Sequence, residues 1–109
     1  MLRARMCISD DCMRLYAEGH AGYAEKGSDI VCAAASVLVS TLQISLRMQL
    51  GIGSDVYFDD NAGDMTRLEC YPRPADRDKA LTVFRVIACG LESIAYKYPD
   101  NVSFTLIEE

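Results

Sequence analysis

Between residues 31 and 50 the apolar side chains Val31, Ala35, Leu38, Leu42, Leu46 and Leu50 recur at steps of three or four. That spacing is one face of a long α-helix. A helix with an apolar stripe is not stable alone in water, so the rest of the chain must supply a surface to cover it. Ser28 and Asp29 are good N-caps for this helix, and Gly51 and Gly53 end it. A second stripe, Leu81, Phe84, Ala88, Leu91, Ala95 and Tyr98, predicts another helix, capped by Asp76 and stopped by Pro99.

The covering surface is legible in the remaining segments. Leu2, Ala4, Met6 and Ile8 alternate with more polar residues, and so do Met13, Leu15 and Ala17, with Ser9-Asp10-Asp11 between the two runs. This predicts a hairpin. Residues 55–59 and 65–71 read as two more strands joined by a turn at Asp60-Asn61-Ala62-Gly63, and Val102, Phe104 and Leu106 make a last one. The order is ββαββαβ, an α/β fold with two helices packed on a mixed or antiparallel five-stranded sheet. With 109 residues, no linker and no repeat, the chain reads as a single domain over 1–109.

Half the residues are hydrophobic and a quarter are charged, a globular composition. The net charge of −5 argues against direct nucleic-acid binding and favours a basic partner. No apolar run follows the arginines near Met1, so no leader is expected, and the apolar stretch 31–42 is too short to span a bilayer. Cys7, Cys12, Cys32, Cys70 and Cys89 make an odd set without repeated spacing, which suits free thiols in a reducing cytoplasm.

The chemistry concentrates near residues 19–36. Gly19, Gly22 and Gly27 mark a loop that carries the chain's single histidine, His20, and Cys32 falls in the first turn of the first helix. A helix N-terminus favours negative charge, which biases a thiol toward its reactive thiolate form. Free N–H groups of that turn would also stabilise an oxyanion during acyl transfer. On spacing alone a lone cysteine on an Ala-rich helix is more often a small buried hydrophobe, and a loop histidine more often bonds locally.

The run Gly19-His20-Ala21-Gly22-Tyr23-Ala24, followed by Gly27-Ser28-Asp29-Ile30-Val31-Cys32-Ala33-Ala34, resembles the signature of the ribosomal-processing cysteine protease family, also called Prp or YsxB-like. Gly90-Leu91 and Tyr98-Pro99-Asp100-Asn101-Val102 resemble the family's closing helix and strand, so the likeness covers the whole chain. The resemblance implies a protease that removes a short, apolar, phenylalanine-rich N-terminal extension from a large-subunit ribosomal protein in Firmicutes and related bacteria. It implies Cys32 as nucleophile and His20 as general base, with no cofactor. Asp29 and Ser36 also match the motif. Asp29 is open to two roles, orienting His20 or capping the helix. Ser36, four residues after Cys32, is open to donating toward the site or bonding back to the Cys32 carbonyl. A different class of function, a non-enzymatic ribosome-associated binding module with a structural Cys32, remains the alternative.

Three other signals lead elsewhere. Gly51-Ile52-Gly53 lacks the third glycine of a dinucleotide fingerprint, and the acidic run 59–64 lacks the closing glutamate of a calcium loop. One histidine completes no Cys₂His₂ zinc site, so no metal is expected. Val83, Val86, Ile87 and Ile94 widen the apolar face of the second helix, which predicts a homodimer.

Overall fold

The computed structural model describes residues 1–60 and 65–109. Strand β1 (Leu2–Ile8) and β2 (Met13–Glu18) form the hairpin. Helix α1 (Ile30–Ile44) follows, then β3 (Val56–Asp59), β4 (Met65–Cys70), α2 (Arg77–Lys97) and β5 (Val102–Glu108). The expected ββαββαβ order is present. The turn anticipated at 60–63 lies, but for Asp60, outside the described residues.

The sheet runs β3-β4-β2-β1-β5. Three neighbours pair antiparallel and β1 pairs parallel with β5, so the sheet is mixed. Register sets the faces, because alternate side chains point to opposite sides of the sheet. Leu2, Ala4, Met6 and Ile8 of β1, Met13 and Leu15 of β2, and Leu68 and Cys70 of β4 are buried in one core with residues of both helices. The other face is open and polar. There Glu69 accepts from Tyr16 and Tyr71 and pairs with Arg67, while Arg5 lies over the Tyr16 ring.

The helices differ in detail from their predicted stripes. In α1 the buried residues are Val31, Ala35, Val39 and Leu42. Leu38 is only half-buried because it leans into the seam with α2, where Gly90 leaves it room: a Cβ on Gly90 would stand 2.6 Å from Leu38 Cδ2. In α2 the buried set is Ala80, Phe84, Ile87, Ala88, Leu91 and Ile94. Ile87 and Ile94, read from sequence as surplus, are core residues, since α2 packs against both α1 and the sheet. Val86 alone of the four is well exposed. Asp76 precedes α2 but makes no capping bond, because a 3₁₀ turn at Pro74–Asp76 runs directly into the helix.

After Ile44 the first helix widens into a π-turn (Ser45–Gln49). Gly51, at φ +67°, then reverses the chain, and Ile52 N–H returns to the Leu46 carbonyl at 3.0 Å. The continuous helix ends beside Gly51, as its stripe and the glycines predict, and its apolar part runs on past the 31–42 stretch. An 18-residue stretch within Ile30–Gln49 has a mean hydropathy of 1.7, enough by length and composition to cross a membrane. Val31, Ala35, Val39, Leu42 and Leu46 on one side of it are nevertheless built into the core.

Candidate active site

Three elements converge where the chain leaves β2 and enters α1. Gly19 stands directly after β2 at φ +85°, and a Cβ there would collide with the Met1 carbonyl oxygen. Only glycine satisfies both the left-handed backbone and the close approach. The next residue, His20, lies exposed just beyond the end of the hairpin.

Asp29 begins α1, as one of its two anticipated roles requires. Its Oδ1 accepts from the backbone N–H of Val31 at 3.0 Å and of Cys32 at 2.9 Å. Its Oδ2 accepts from the N–H of Tyr23 at 3.0 Å and of Ala24 at 3.4 Å. One carboxylate thus caps the helix and ties down the loop. The Cys32 N–H, foremost among these donors, holds the Asp29 carboxyl below its ordinary range, against a smaller opposing cost of desolvation.

Cys32 is the third residue of α1, in the first turn as predicted, and is half-buried. The anticipated supply of free first-turn amides is corrected, however. The N–H groups of Val31 and Cys32 are taken by Asp29 Oδ1, and that of Ala33 by the Asp29 carbonyl at 3.1 Å. The sulfur itself receives a donor from the loop: Ala21 N–H points at Cys32 Sγ over 3.3 Å. Ala21 also accepts at its carbonyl from Asn101 Nδ2 at 2.9 Å. Neither contact was read from the sequence.

Two clefts meet at this point. The first, about 300 Å³, is walled by Leu2, Ala17, Val39 and Phe58 and edged by Asp60 and Thr66. The second, about 570 Å³, runs under the glycine-rich loop past Gly22, Lys26 and Gly27. His20, Cys32 and Ser36 line both, so the structure brings these three together at a shared wall. Asp29 reaches the second cleft, consistent with its place under the loop. Of the acidic residues near 60, Asp60 borders the first cleft, Asp59 lines neither, and Asp64 lies outside the described residues. Among the described residues, no three His, Cys, Asp or Glu side chains gather as a metal site would require.

A thiol and an imidazole on one wall, with a backbone N–H on the sulfur and open grooves to either side, suit attack on an extended chain. Comparison with known proteins points the same way. The family model for cysteine protease Prp matches residues 1–103. The ribosomal processing cysteine protease Prp of Mycoplasma genitalium is 31% identical over 93 residues, covering 81% of this chain and 82% of that protein. Its namesake from Staphylococcus aureus strain Mu50 is 31% identical over 90 residues, covering 78% and 77%. Among solved structures, a Streptococcus mutans protein superposes with a TM-score of 0.76 at 23% identity, over 100% of this chain and 96% of that one. The Staphylococcus aureus Prp in complex with a covalently linked product peptide superposes with a TM-score of 0.73 at 24% identity, over 97% and 99%. These two share the fold of the chain described here.

Proposed function

This chain belongs to the cysteine protease Prp family, and on that premise we propose that it is an endopeptidase that removes a short apolar N-terminal extension from a large-subunit ribosomal protein. As a cysteine protease it is a peptide hydrolase, which sets aside the binding-module alternative. Cys32 is the nucleophile and His20 its proton-transfer partner. The Cys32 thiolate attacks the scissile carbonyl carbon, forming a C–S bond and an oxyanion. Collapse of that intermediate breaks the C–N bond, and His20 gives its proton to the leaving amine. Water then attacks the thioester, His20 takes its proton, and the sulfur leaves as thiolate. The observation that carries this reading is the convergence of the only histidine and Cys32 on the wall shared by two clefts. Leu2, Val39 and Phe58 make the first cleft a seat for apolar side chains of the substrate.

Two further points belong to the same reading. The enzyme works in the cytoplasm, where its substrate is made and where five free cysteines suit the redox state. It acts as a homodimer, but on a different surface from the one its second helix suggested. Ile30, Val37 and Ile44 of α1, with Met48 of the π-turn that continues it, form an outer stripe that is 58%, 63%, 55% and 74% exposed. A monomer mass by light scattering at micromolar concentration would refute the dimer.

The decisive experiment is incubation with a peptide spanning the extension of the host's own large-subunit ribosomal protein, followed by mass spectrometry. One cleavage at the extension boundary is expected. An intact peptide after prolonged incubation would overturn the assignment.

A further inference from the structure

The turn between α2 and β5 lies 80 residues from the loop that carries His20, yet one side chain joins them. Asn101 Nδ2 donates to the Ala21 carbonyl at 2.9 Å. Asn101 is itself held: its N–H donates to the Tyr98 carbonyl at 3.0 Å, and its carbonyl accepts from Leu2 N–H at 2.9 Å. Ala21 is held as well. The residue is buried, 2% exposed, and its N–H donates to Cys32 Sγ at 3.3 Å. Residue 21 is therefore fixed at side chain, carbonyl and N–H, and it directly follows His20. A second tie comes from the same turn, where the Tyr98 ring meets Tyr23 edge-on with centroids 5.3 Å apart.

We infer that Asn101 is a positioning residue for the Cys32–His20 pair: by gripping the Ala21 carbonyl it aims the Ala21 N–H at Cys32 Sγ and sets His20 beside it. The inference rests on the catalytic reading of that pair. A carbonyl oxygen only accepts, so the Asn101 side chain must present its NH₂ group to Ala21. Gly19 and Gly22 flank the segment at positive φ and offer it little stiffness of their own. Without the grip, the 21–22 peptide turns more easily about Ala21, and the Ala21 N–H loses one of the anchors that aim it at the sulfur. The N–H···S contact is stronger to thiolate than to thiol or thioester, so its loss lowers the reactive thiolate fraction and slows expulsion of the thiolate from the thioester, and is felt in the chemical steps more than in substrate binding.

The test compares Asn101→Asp, Asn101→Gln and Cys32→Ala with the wild type. Asp keeps the shape of Asn but, ionised, only accepts, whereas Gln keeps the NH₂ donor. Melting temperature, kcat, KM and the rate of Cys32 alkylation by iodoacetamide are measured below the melting range. For Asn101→Asp, kcat is expected to fall about 10- to 100-fold, as for misplaced catalytic groups, with KM changed less than about threefold. Alkylation of Cys32 at pH 7 slows in parallel, and Asn101→Gln recovers part of both. A folded Asn101→Asp variant with wild-type kcat and alkylation rate overturns the inference, as does a Gln variant no better than Asp. If the wild type leaves the peptide intact, or Cys32→Ala still cleaves it, the catalytic reading fails and the inference with it. If those two controls behave and only the Asn101 variants do not, Asn101 alone is refuted.

Discussion

Gly19→Ala tests the geometry at the root of the site. Two costs act there. Placing an L-residue at φ +85° costs about 1–2 kcal/mol through the Cβ–carbonyl clash intrinsic to the left-handed region. The new methyl also meets the Met1 carbonyl oxygen. That carbonyl adjoins Leu2, whose N–H is bonded to the Asn101 carbonyl, so it does not swing aside freely. Overpacking against backbone adds about 1–3 kcal/mol, for a total of roughly 2–5 kcal/mol. At about 2.1 cal/mol/K per residue, a 109-residue chain has an unfolding entropy near 0.23 kcal/mol/K. The melting temperature should therefore drop by roughly 9–22 °C.

Gly22→Ala is the internal control. It also sits at positive φ, +67°, but a Cβ there meets nothing within 4 Å. Only the intrinsic strain remains, about 1–2 kcal/mol or roughly 4–9 °C. Circular dichroism melts of the two variants measure the difference directly. Relief of the Gly19 clash must also shift His20, so peptide cleavage should fall in Gly19→Ala even well below its melting temperature. Equal melting temperatures for the two variants, or a Gly19→Ala protein within 2 °C of wild type, would refute the steric argument.

His20→Ala should slow peptide cleavage about 10²- to 10⁴-fold with little change in melting temperature, since His20 is exposed; near wild-type turnover at neutral pH would remove it from the mechanism. Cys32→Ala should abolish cleavage while keeping peptide affinity by fluorescence anisotropy, at a stability cost of about 1 kcal/mol or less; residual turnover at a substantial fraction of wild type would sink the nucleophile assignment. Cleavage of a substrate carrying basic residues should be faster at low than at high salt, given the −5 charge and Asp60 beside the first cleft, and a flat salt profile would count against electrostatic steering. In acid, two carboxylates weaken the fold. Asp29 is held low chiefly by the Cys32 N–H. Glu69, though partial burial pushes it up, is brought down by Tyr71, Tyr16, Arg67 and Arg14. A depressed carboxyl contributes stability above its unfolded value and loses it as pH falls through the folded one, so the urea midpoint should hold from pH 7 to about 5 and decline below about pH 4. A midpoint that rises on acidification would contradict the sign.

Local pattern carried most of the fold. Alternation in 2–8 and 13–17 marked the hairpin, and the two helical stripes marked the covering layer, because each signal depends only on neighbours a few residues apart. What escaped is what depends on distant partners. Leu38 looked like a core residue by spacing, yet Gly90 of α2 decides that it fills the seam between helices while Val39 takes the core. Ile87 and Ile94 looked like an interface because the sequence does not say how many surfaces α2 touches.

The site shows the same division with a chemical consequence. His20 and Cys32 were singled out through the resemblance of their segment to the family signature, since on spacing alone each had a plainer reading, and the structure places both on the wall shared by two clefts. The pattern of donors was not legible, since capping competes for the same N–H groups. A carboxylate at the N-cap takes the first-turn N–H groups that would otherwise face a developing anion. Asp29 therefore stabilises the start of α1 at the expense of those N–H groups as oxyanion donors. A donor to the sulfur itself comes from the loop, Ala21 N–H, one peptide bond from His20. Under the proposed reading, nucleophile and proton carrier are linked through a single stretch of backbone, which Asp29 holds from beneath the loop and Asn101 from behind it. A substitution that loosens either tie disturbs both groups together, so mutational effects at Asp29 and Asn101 should be non-additive.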